Sequence, residues 1–502
     1  MKLKIVMYNY TEHLCNIIHI HRHAAIIILF FFIFTFTQCV KKVDVTFTIT
    51  GEVVTNGIPL NDVDVVLASD RLISFKTKTN EEGVFNFPGL LEGTYVVEPR
   101  LEGYVFSPSK RSVPITKSGM VHLAFNGTLV WSHHYGGYYD EEAFSVKQTS
   151  DGGYIVAGRT NSGGTGWTDV YMAKLDAFGN IDQGPFIFGG DEDDVAYAVE
   201  QTSDGGYVVA GSTMADSRDF LFVKKFDGLF NFEWERTYGE DERNIEIRSL
   251  QETSAGHYIV AGFSASYIDN ISDALAIKID PNKAGIEASD IFRYSAGIYD
   301  YIYDIKETSD QGYILTGSTT SIDDVSGDYN TKILLIKIDS SLNPEWPKAR
   351  EYDFSRMDEA FSVQEISGGY ILAGYSGVDP LVCNMRIIQV DSSGEVVWSR
   401  LYPMSITDRA HSIVPTMDGG YAVGGIIWSD TTCSLDYCLL KIDTFGEVEW
   451  RTTYNGSGFG DDIAYSVIHT VDGGYALGGY SETAYNGKDI FILKVDPNGN
   501  IR

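Results

Sequence analysis

The stretch TSDGGYIVAG at residues 149–158 returns, with small changes, in seven copies between residue 126 and the end of the sequence. One tyrosine marks each copy, and successive markers are 51 to 57 residues apart. The markers are Tyr154, Tyr207, Tyr258, Tyr313, Tyr370, Tyr421 and Tyr475. Seven units of this length use all of residues 127–502, which predicts one repeat array rather than several unrelated domains.

Each repeat consists of short alternating runs separated by tight turns. In the first copy these runs are AFSVKQT, GYIVAGRT and DVYMAKLD, and a fourth follows the corner DAFG. Four short antiparallel strands in a period of this length are typical of a propeller blade, which buries its faces against neighbouring blades. The sequence therefore predicts an all-β protein whose residues 126–502 form a seven-bladed β-propeller.

The two ends of the array predict how the ring closes. The seventh copy ends at DPNGNIR without a fourth run, whereas the run NGTLVWSHHY stands before the first copy. We expect residues 128–135 to pair with the third strand of the seventh blade, because this pairing removes two exposed strand edges.

The corner residues have a conformational explanation. An aspartate followed by glycine favours a tight turn, and a glycine four residues after each marker predicts close approach between neighbouring blades. These glycines are Gly158, Gly211, Gly262, Gly317, Gly374, Gly425 and Gly479. On these motifs the array resembles the DGGY-type propeller repeats of bacterial and archaeal surface proteins, and TSDGGY resembles the Asp-box corner of sialidases and related propellers. The resemblance implies a fold and brings no catalytic residues with it.

A different pattern precedes the array. Residues 40–125 contain short alternating runs at intervals of about ten residues, which predict a small antiparallel β-sandwich. The module resembles the carboxypeptidase regulatory-like, or Cna-B-like, domain at Gly51–Val53, Gly83–Phe85, Gly93–Val96 and Gly103–Pro108. This resemblance implies a spacer or stalk.

The first 39 residues indicate export. Lys2, Lys4 and Arg22 precede the apolar run AAIIILFFFIFTFT, which has the length of a signal-peptide core, and Cys39 follows after Gln38. A cysteine at this place resembles a lipoprotein cleavage site, so we expect lipidation of Cys39. Ordinary secretion and an uncleaved anchor are the alternatives. All three predict an extracellular or cell-envelope location, with membrane contact only through this segment.

The formal net charge of −31 argues against binding to nucleic acid or to anionic lipid surfaces. Five cysteines are too few for a disulfide framework, although Cys433 and Cys438 are close enough in sequence for a local bridge. We expect a monomer.

Two series of acidic residues are predicted on the face that carries the variable second-to-third-strand loops. The first series precedes the first strand of each blade, and the second opens the third strand. Their members are Glu141, Asp194, Asp300, Asp358, Asp408 and Asp462, and then Asp169, Asp219, Asp273, Asp436 and Asp489. We expect each acid to cap a turn of its own blade. The alternative is a ring of oxygen ligands for Ca²⁺ or a basic group.

Two further sets recur in the repeats. Aromatic residues in the variable loops are candidates for stacking on sugars or gripping a partner: Trp167, Tyr267, Trp428 and Tyr485. Lysines near the end of the third strand are expected to pair on the strand surface or to pack their stems: Lys174, Lys224, Lys278, Lys337, Lys441 and Lys494.

No zinc-ligand spacing, HExxH or GxSxG motif is present. The sequence therefore favours a non-catalytic binding or scaffolding protein of the cell surface, with a protein or glycan ligand and no cofactor apart from the calcium alternative. A carbohydrate-active enzyme, either a glycoside hydrolase or sialidase-like, is the second hypothesis. A structural component of the envelope is the third.

Overall fold

The computed structural model describes residues 46–69, 74–116, 120–322, 327–456, 460–483 and 487–501. Cys39 and Tyr485 lie outside these residues. No helix in the described ranges has the length and apolarity needed to cross a membrane. The one short helix among them is the 3₁₀ turn Ala288–Asp290.

Alternating apolar residues build a two-sheet sandwich at the N-terminal side. Its strands are β1 (Phe47–Thr55), β2 (Ile58–Pro59), β3 (Asp64–Ser69), β4 (Ser74–Lys78), β5 (Val84–Leu90), β6 (Gly93–Arg100), β7 (Tyr104–Ser107), β8 (Arg111–Ile115) and β9 (Met120–Leu129). One sheet has the order β2-β1-β9-β7 with β5 also on β1, and the other has the order β4-β3-β6-β8. Ile49, Leu67, Phe85 and Phe125 are buried between them. Strand β9 runs through the expected domain boundary after residue 125 and ends at Leu129.

After β9 the described chain forms seven antiparallel units of four strands. The first strands are β11 (Glu141–Gln148), β15 (Asp194–Gln201), β19 (Arg243–Glu252), β23 (Tyr299–Glu307), β27 (Met357–Ile366), β31 (Asp408–Pro415) and β35 (Asp462–His469). The second strands are β12 (Tyr154–Thr160), β16 (Tyr207–Ala215), β20 (Tyr258–Ser266), β24 (Tyr313–Ile322), β28 (Gly369–Asp379), β32 (Tyr421–Ser429) and β36 (Tyr475–Thr483). The third strands are β13 (Asp169–Leu175), β17 (Arg218–Phe226), β21 (Ser272–Ile279), β25 (Tyr329–Ile338), β29 (Val382–Asp391), β33 (Ser434–Ile442) and β37 (Gly487–Val495).

The fourth strands are β14 (Ile181–Phe188), β18 (Phe232–Tyr238), β22 (Ile291–Tyr294), β26 (Arg350–Tyr352), β30 (Val396–Tyr402) and β34 (Val448–Tyr454). The seventh unit takes its fourth strand from β10 (Trp131–Tyr135), which pairs antiparallel with β37. Thr128 and Leu129, which were expected in this pairing, pair with β7 of the sandwich instead. Single parallel pairings join units three, four and five into one continuous sheet.

Neighbouring units pack through the marker tyrosine. At four seams its ring contacts a tryptophan of the preceding unit, as in Trp234 against Tyr258, with 5.4 Å between ring centroids. Trp131 of the seventh unit makes the same contact with Tyr154 of the first, at 5.5 Å. The Trp131 indole also donates to the carbonyl of Ala177 in the first unit. The first and seventh units therefore meet through the same contacts as consecutive units.

The glycine of each YxxxG motif lies close to the first strand of its own unit. A Cβ atom at Gly374 would lie 1.8 Å from the backbone oxygen of Glu359, in the first strand of the same unit. The other six motif glycines face the first strand of their own unit in the same way, at 1.8 to 1.9 Å. The predicted blade-to-blade contact is present at Gly479, where an added Cβ would also lie 2.8 Å from the Tyr437 hydroxyl of the sixth unit. At the other six positions the prediction was wrong, because these glycines permit close strand pairing inside a unit.

The lysines are also more buried than predicted. Lys174, Lys337, Lys441 and Lys494 are 1 to 2% exposed. Each ammonium group pairs with the aspartate of its DGG or DQG corner at 2.9 to 3.0 Å. In the second unit this position belongs to Lys225, which pairs with Asp204, and not to the predicted Lys224. Lys224 instead lies over the ring of Phe188.

The third and fifth units lack the corner aspartate and therefore show whether the buried lysine depends on it. In the third unit the corner aspartate is replaced by Ala255, and Lys278 donates to the carbonyl of Ser340 instead. In the fifth unit the corner has Ser367, and Gln389 replaces the lysine. Wherever the acid is absent, the buried cation is therefore absent or has moved.

The cysteine bridge considered above is not formed. Cys433 and Cys438 are both free thiols. Cys438 is buried inside β33, whereas Cys433 lies in the exposed turn that precedes this strand. The two side chains therefore belong to different environments despite their short separation in sequence.

Candidate ligand-binding site

The repeated connections divide the array into two faces. The first-to-second and third-to-fourth turns lie on one side, which we call the corner face. The second-to-third hairpins and the connections between units lie on the other, which we call the loop face. The first residue of β10, Trp131, pairs with Lys494, and its last residue, Tyr135, pairs with Ile490. Lys494 lies at the corner-face end of β37, so the sandwich, which precedes β10 in the chain, joins the array at the corner face.

The first series of acids lies buried beneath the loop face. Each member accepts a hydrogen bond from a backbone amide three to six residues before it in the chain, at 2.6 to 3.0 Å. The donors are Gly137 to Glu141, Gly190 to Asp194, Ala296 and Gly297 to Asp300, Phe354 and Ser355 to Asp358, Met404 and Ser405 to Asp408, and Gly456 to Asp462. These carboxylates hold the connections that lead into their own units.

The second series is less uniform. Asp169 accepts from the amide of Gly166, Asp273 pairs with Arg243 and Arg293, and Asp436 accepts from Asn455. Asp219 and Asp489 are half-buried, and burial raises the pKa of both carboxyls. The series therefore does not present a common ligand geometry.

Acids from consecutive units approach each other at some seams. Asp169 and Asp194 both border Gly189, and Glu141 and Asp489 both border Gly136. At the seam of Asp436 and Asp462, burial raises the pKa of Asp462 to about 6, and the neighbouring carboxylates add to this effect. Within the part of the chain that the structure describes, no three His, Cys, Asp or Glu side chains meet in a group able to hold a metal ion.

Two of the predicted loop aromatics stand in solvent. Trp167 is 84% exposed and Tyr267 is 56% exposed, whereas Trp428 is half-buried and donates its indole N–H to Asp430. The structure does not gather these three residues into one cluster, since they belong to units one, three and six.

A clustered apolar surface was missed by the sequence reasoning. Val378, Leu381 and Val382 at the β28–β29 hairpin are exposed, as is Ile406 in the adjoining connection. The amide of Cys383 donates to the Ile406 carbonyl, and the hydroxyl of Thr407 donates to the Leu381 carbonyl, so the two segments are tied together. We call Val378, Leu381, Val382 and Ile406 the apolar patch. The sequence pattern could not predict this patch, because it does not show that the β28–β29 hairpin lies beside the connection that contains Ile406.

A second feature missed by the sequence reasoning lies at the centre of the array. Every first strand carries a β-bulge at the same place, because the register shifts by one residue opposite each motif glycine. A bulge of this kind redirects a side chain. The inserted residues form a bulge layer of Phe144, Tyr197, Arg248, Tyr303, Phe361, His411 and Tyr465.

The residues that follow the bulges form a second layer nearer the corner face. This serine layer consists of Ser145, Ala198, Ser249, Asp304, Ser362, Ser412 and Ser466. Its side chains bridge neighbouring units: the Val199 amide donates to Ser145, the Val363 amide donates to Asp304, and the Ser466 hydroxyl donates to the carbonyl of Val146. The last bond joins the seventh unit to the first.

The two layers enclose a central cavity of about 400 Å³. The bulge layer lies at one end, and Lys147, Lys306 and Gln364 line the end nearer the corner face. The described residues around it supply one carboxylate, Asp304, which is held by Lys306 at 2.5 Å and by the hydroxyl of Ser249 at 2.9 Å. General acid–base hydrolysis of a glycoside uses two carboxylates facing the bond, and the described lining supplies one.

Comparisons with known proteins concern the sandwich and the overall fold. The family described as "BOS complex subunit NOMO1-like, second beta sandwich domain" matches residues 45–124. The chain is therefore an all-β protein with a β-sandwich similar to that domain. No curated protein matches the sequence.

The solved structures that this chain resembles include the following three, each at low sequence identity and low TM-score. Sqt1 from Chaetomium thermophilum is 11% identical over 74% of this chain and 86% of its own, with a TM-score of 0.41. BBS1N, solved in complex with ARL6DN, is 9% identical over 71% of this chain and 94% of its own, with a TM-score of 0.38. Puromycin hydrolase is 12% identical over 60% of this chain and 45% of its own, also with a TM-score of 0.38. Likeness at this level does not bear on function.

Proposed function

We propose that the seven units form a closed seven-bladed propeller, which acts as a non-catalytic binding or scaffolding domain at the cell surface. Closure is supported by contacts repeated between the last and first units: Trp131 packs on Tyr154, and Ser466 donates to Val146. A closed ring protects the edges that an open array of sheets would expose to other chains.

The proposed surface location follows from the N-terminal segment and from the placement of the sandwich. Lipidation of Cys39 would tether the chain at its N-terminal end, and the sandwich would hold the propeller away from the membrane as a stalk. Because the sandwich joins the corner face, the loop face would then point away from the membrane.

The apolar patch on the loop face is the observation that carries the binding role. Leu381 is 72% exposed and Ile406 is 58% exposed, although the chain as a whole is strongly acidic. Clustered apolar side chains in a polar surround are typical of protein-interaction surfaces. The proposed ligand is therefore a macromolecule of the cell surface, either protein or glycan, that contacts this part of the loop face.

The buried acids support a non-catalytic role. One oxygen of each carboxylate in the first series accepts from the loop amides above it, and the described residues around the central cavity supply a single carboxylate. Neither arrangement leaves two carboxyl groups facing a common substrate. We therefore assign the acids a role in holding the connections of the loop face.

The test compares two surface variants of the full-length protein in binding assays. A glycan array, run with calcium and with EDTA, and capture from cell-envelope extract should give at least one selective ligand. The L381D/I406D variant should lose this ligand, whereas F445D should keep it, because Phe445 is an exposed apolar residue of the corner face. Retention of the ligand by L381D/I406D would refute the apolar patch as its binding surface. The absence of any ligand would refute a binding role and favour a structural component.

Two further results test the remaining parts of the proposal. If EDTA abolishes binding of the ligand, we infer that calcium bound by the acidic residues of the loop face is required for that binding. Labelling with palmitate should be lost in Cys39→Ala, and equal labelling of this variant and the wild type would refute lipidation at Cys39.

A further inference from the structure

The central cavity is a second candidate site, separate from the apolar patch. Its walls come from the first strands of all seven units, and it extends from the bulge layer towards the corner face. An inference about this cavity goes beyond the proposed function, because it concerns a different ligand on the opposite side of the array.

Charged groups around the cavity are balanced in pairs. Arg248 pairs with Glu246, Lys306 with Asp304, and Lys147 lies 3.9 Å from Glu200. Burial lowers the pKa of His411 to about 4, so this imidazole is uncharged near neutral pH. An anion or a cation entering the cavity would meet no unpaired counter-charge and would lose its hydration.

The hydroxyl groups of the serine layer can take part in further hydrogen bonds. Ser145, Ser362, Ser412 and Ser466 contact backbone atoms of the next unit at 3.3 to 3.4 Å, which is long for a hydroxyl. A serine hydroxyl can donate once and accept twice. Because these bonds use only part of that capacity, a ring of hydroxyls remains for a polar, uncharged ligand.

The far end of the cavity is aromatic. Phe144 lies between Tyr197 and Tyr465, each at 5.1 Å between ring centroids, and Phe361 lies 4.9 Å from Tyr303. All five rings are only partly buried, so the cavity reaches them. Aromatic rings provide a rigid apolar surface for the C–H face of a ligand.

We propose that the central cavity binds a neutral saccharide of one or two sugar rings. A saccharide combines many uncharged hydroxyl groups with an apolar C–H face, which matches the serine layer and the aromatic end together. The volume of about 400 Å³ falls within the usual range of roughly 300 to 1,000 Å³ for small-molecule sites. In this arrangement the sugar ring stacks against the bulge layer, and its hydroxyls bond to the serines and Gln364.

The experiment is calorimetric titration of the full-length protein with maltose, cellobiose, N,N′-diacetylchitobiose and glucuronic acid. At least one neutral saccharide should bind, and glucuronic acid should bind more weakly. The variant S466L places an apolar side chain in the cavity and should weaken that binding at least tenfold. I322A, at the exposed loop-face end of β24, should bind as the wild type does.

A second variant guards against a folding defect. If the melting curve of S466L differs from that of the wild type, Q364L replaces it, since Gln364 is only half-buried near the mouth. The proposal is overturned if the folded wild type binds no neutral saccharide, if glucuronic acid binds best, or if the folded cavity variant binds as tightly as the wild type. Loss of the loop-face ligand in L381D/I406D leaves these outcomes unaffected, so the two proposals fail independently.

Discussion

Lys494 Nζ lies 2.9 Å from Oδ1 of Asp472, the aspartate of the DGG corner in the seventh unit. The lysine side chain is 1% exposed, and burial lowers its pKa. Its ammonium group also donates to the carbonyl of Val495. The aspartate of this corner therefore does more than form a turn: its carboxylate neutralises the buried ammonium group of Lys494 near the end of the third strand.

The substitution Asp472→Ala tests this relationship. It leaves Lys494 buried without its acidic partner, which we expect to lower the free energy of unfolding by about 2–3 kcal/mol. Asp418→Ala is the matched control, because Lys441 keeps its second ion pair, with Glu449 at 3.0 Å. Denaturant titration should show the larger loss for Asp472→Ala, and equal losses would contradict the pairing argument.

Gly374→Ala tests the close pairing at the bulge. The new methyl group would collide with the backbone oxygen of Glu359, and we expect a loss of about 1–3 kcal/mol through displacement of the strand. Gly285 has no neighbouring atom within 4 Å of an added Cβ, so Gly285→Ala should leave the melting temperature nearly unchanged. If the two variants melt alike, the glycine is not required at this contact.

Asp462→Asn should stabilise the protein in a pH-dependent manner. The pKa of Asp462 rises to about 6 in the fold, mainly through burial, whereas the pKa of an aspartate in the unfolded chain is about 3.9. The folded state then holds the proton more tightly, so wild-type stability falls as the pH rises from 4 to 6 and stays lower above 6.

The amide side chain has no such penalty. Asp462→Asn should therefore gain about 1–3 kcal/mol relative to the wild type at pH 7.5, with a much smaller difference at pH 4. Melting curves across this range measure the effect. A difference that does not depend on pH would show that the carboxyl group titrates normally.

Replacement of Trp131–Tyr135 by a Gly/Ser segment of equal length tests the shared seventh unit. The change removes the partner of β37 and the contacts of Trp131 with the first unit. We expect the melting temperature to fall by several degrees or more. Replacement of the exposed residues Thr165 and Trp167 by serine, in a loop of the first unit, is the control and should have little effect. Similar melting of both variants would exclude a role for β10 in joining the ends.

Periodicity and turn residues are visible in the sequence. They allowed us to predict the repeat, the strand order within units and the pairing between the two ends of the repeat array. The pairing segment was predicted to begin at residue 128, whereas β10 begins at Trp131. The alternating pattern could not assign Thr128 and Leu129, because they suit a strand of either domain. The run GYIVAGRT, expected as a strand from its alternation, is observed as β12 (Tyr154–Thr160).

Other features could not be derived from a period-2 pattern. A bulge reverses the alternation, so the pattern does not show that Phe144 and its equivalents face the centre. The partners Lys174 and Asp151 are 23 residues apart, and their pairing becomes visible only when the repeats are compared, through Ala255 and Gln389. The apolar patch was missed because it depends on which loops are neighbours in space.

The sharing of the seventh unit between distant parts of the chain has a kinetic consequence. Lys488 bonds to Glu142 across 346 residues, and β10 can pair only after β37 (Gly487–Val495) has been synthesised. Contacts of such long range form slowly, because the loop they close is long. A chain that lacks β37 would leave the edge of β10 unpaired, so the order of the seventh unit depends on segments more than 350 residues apart.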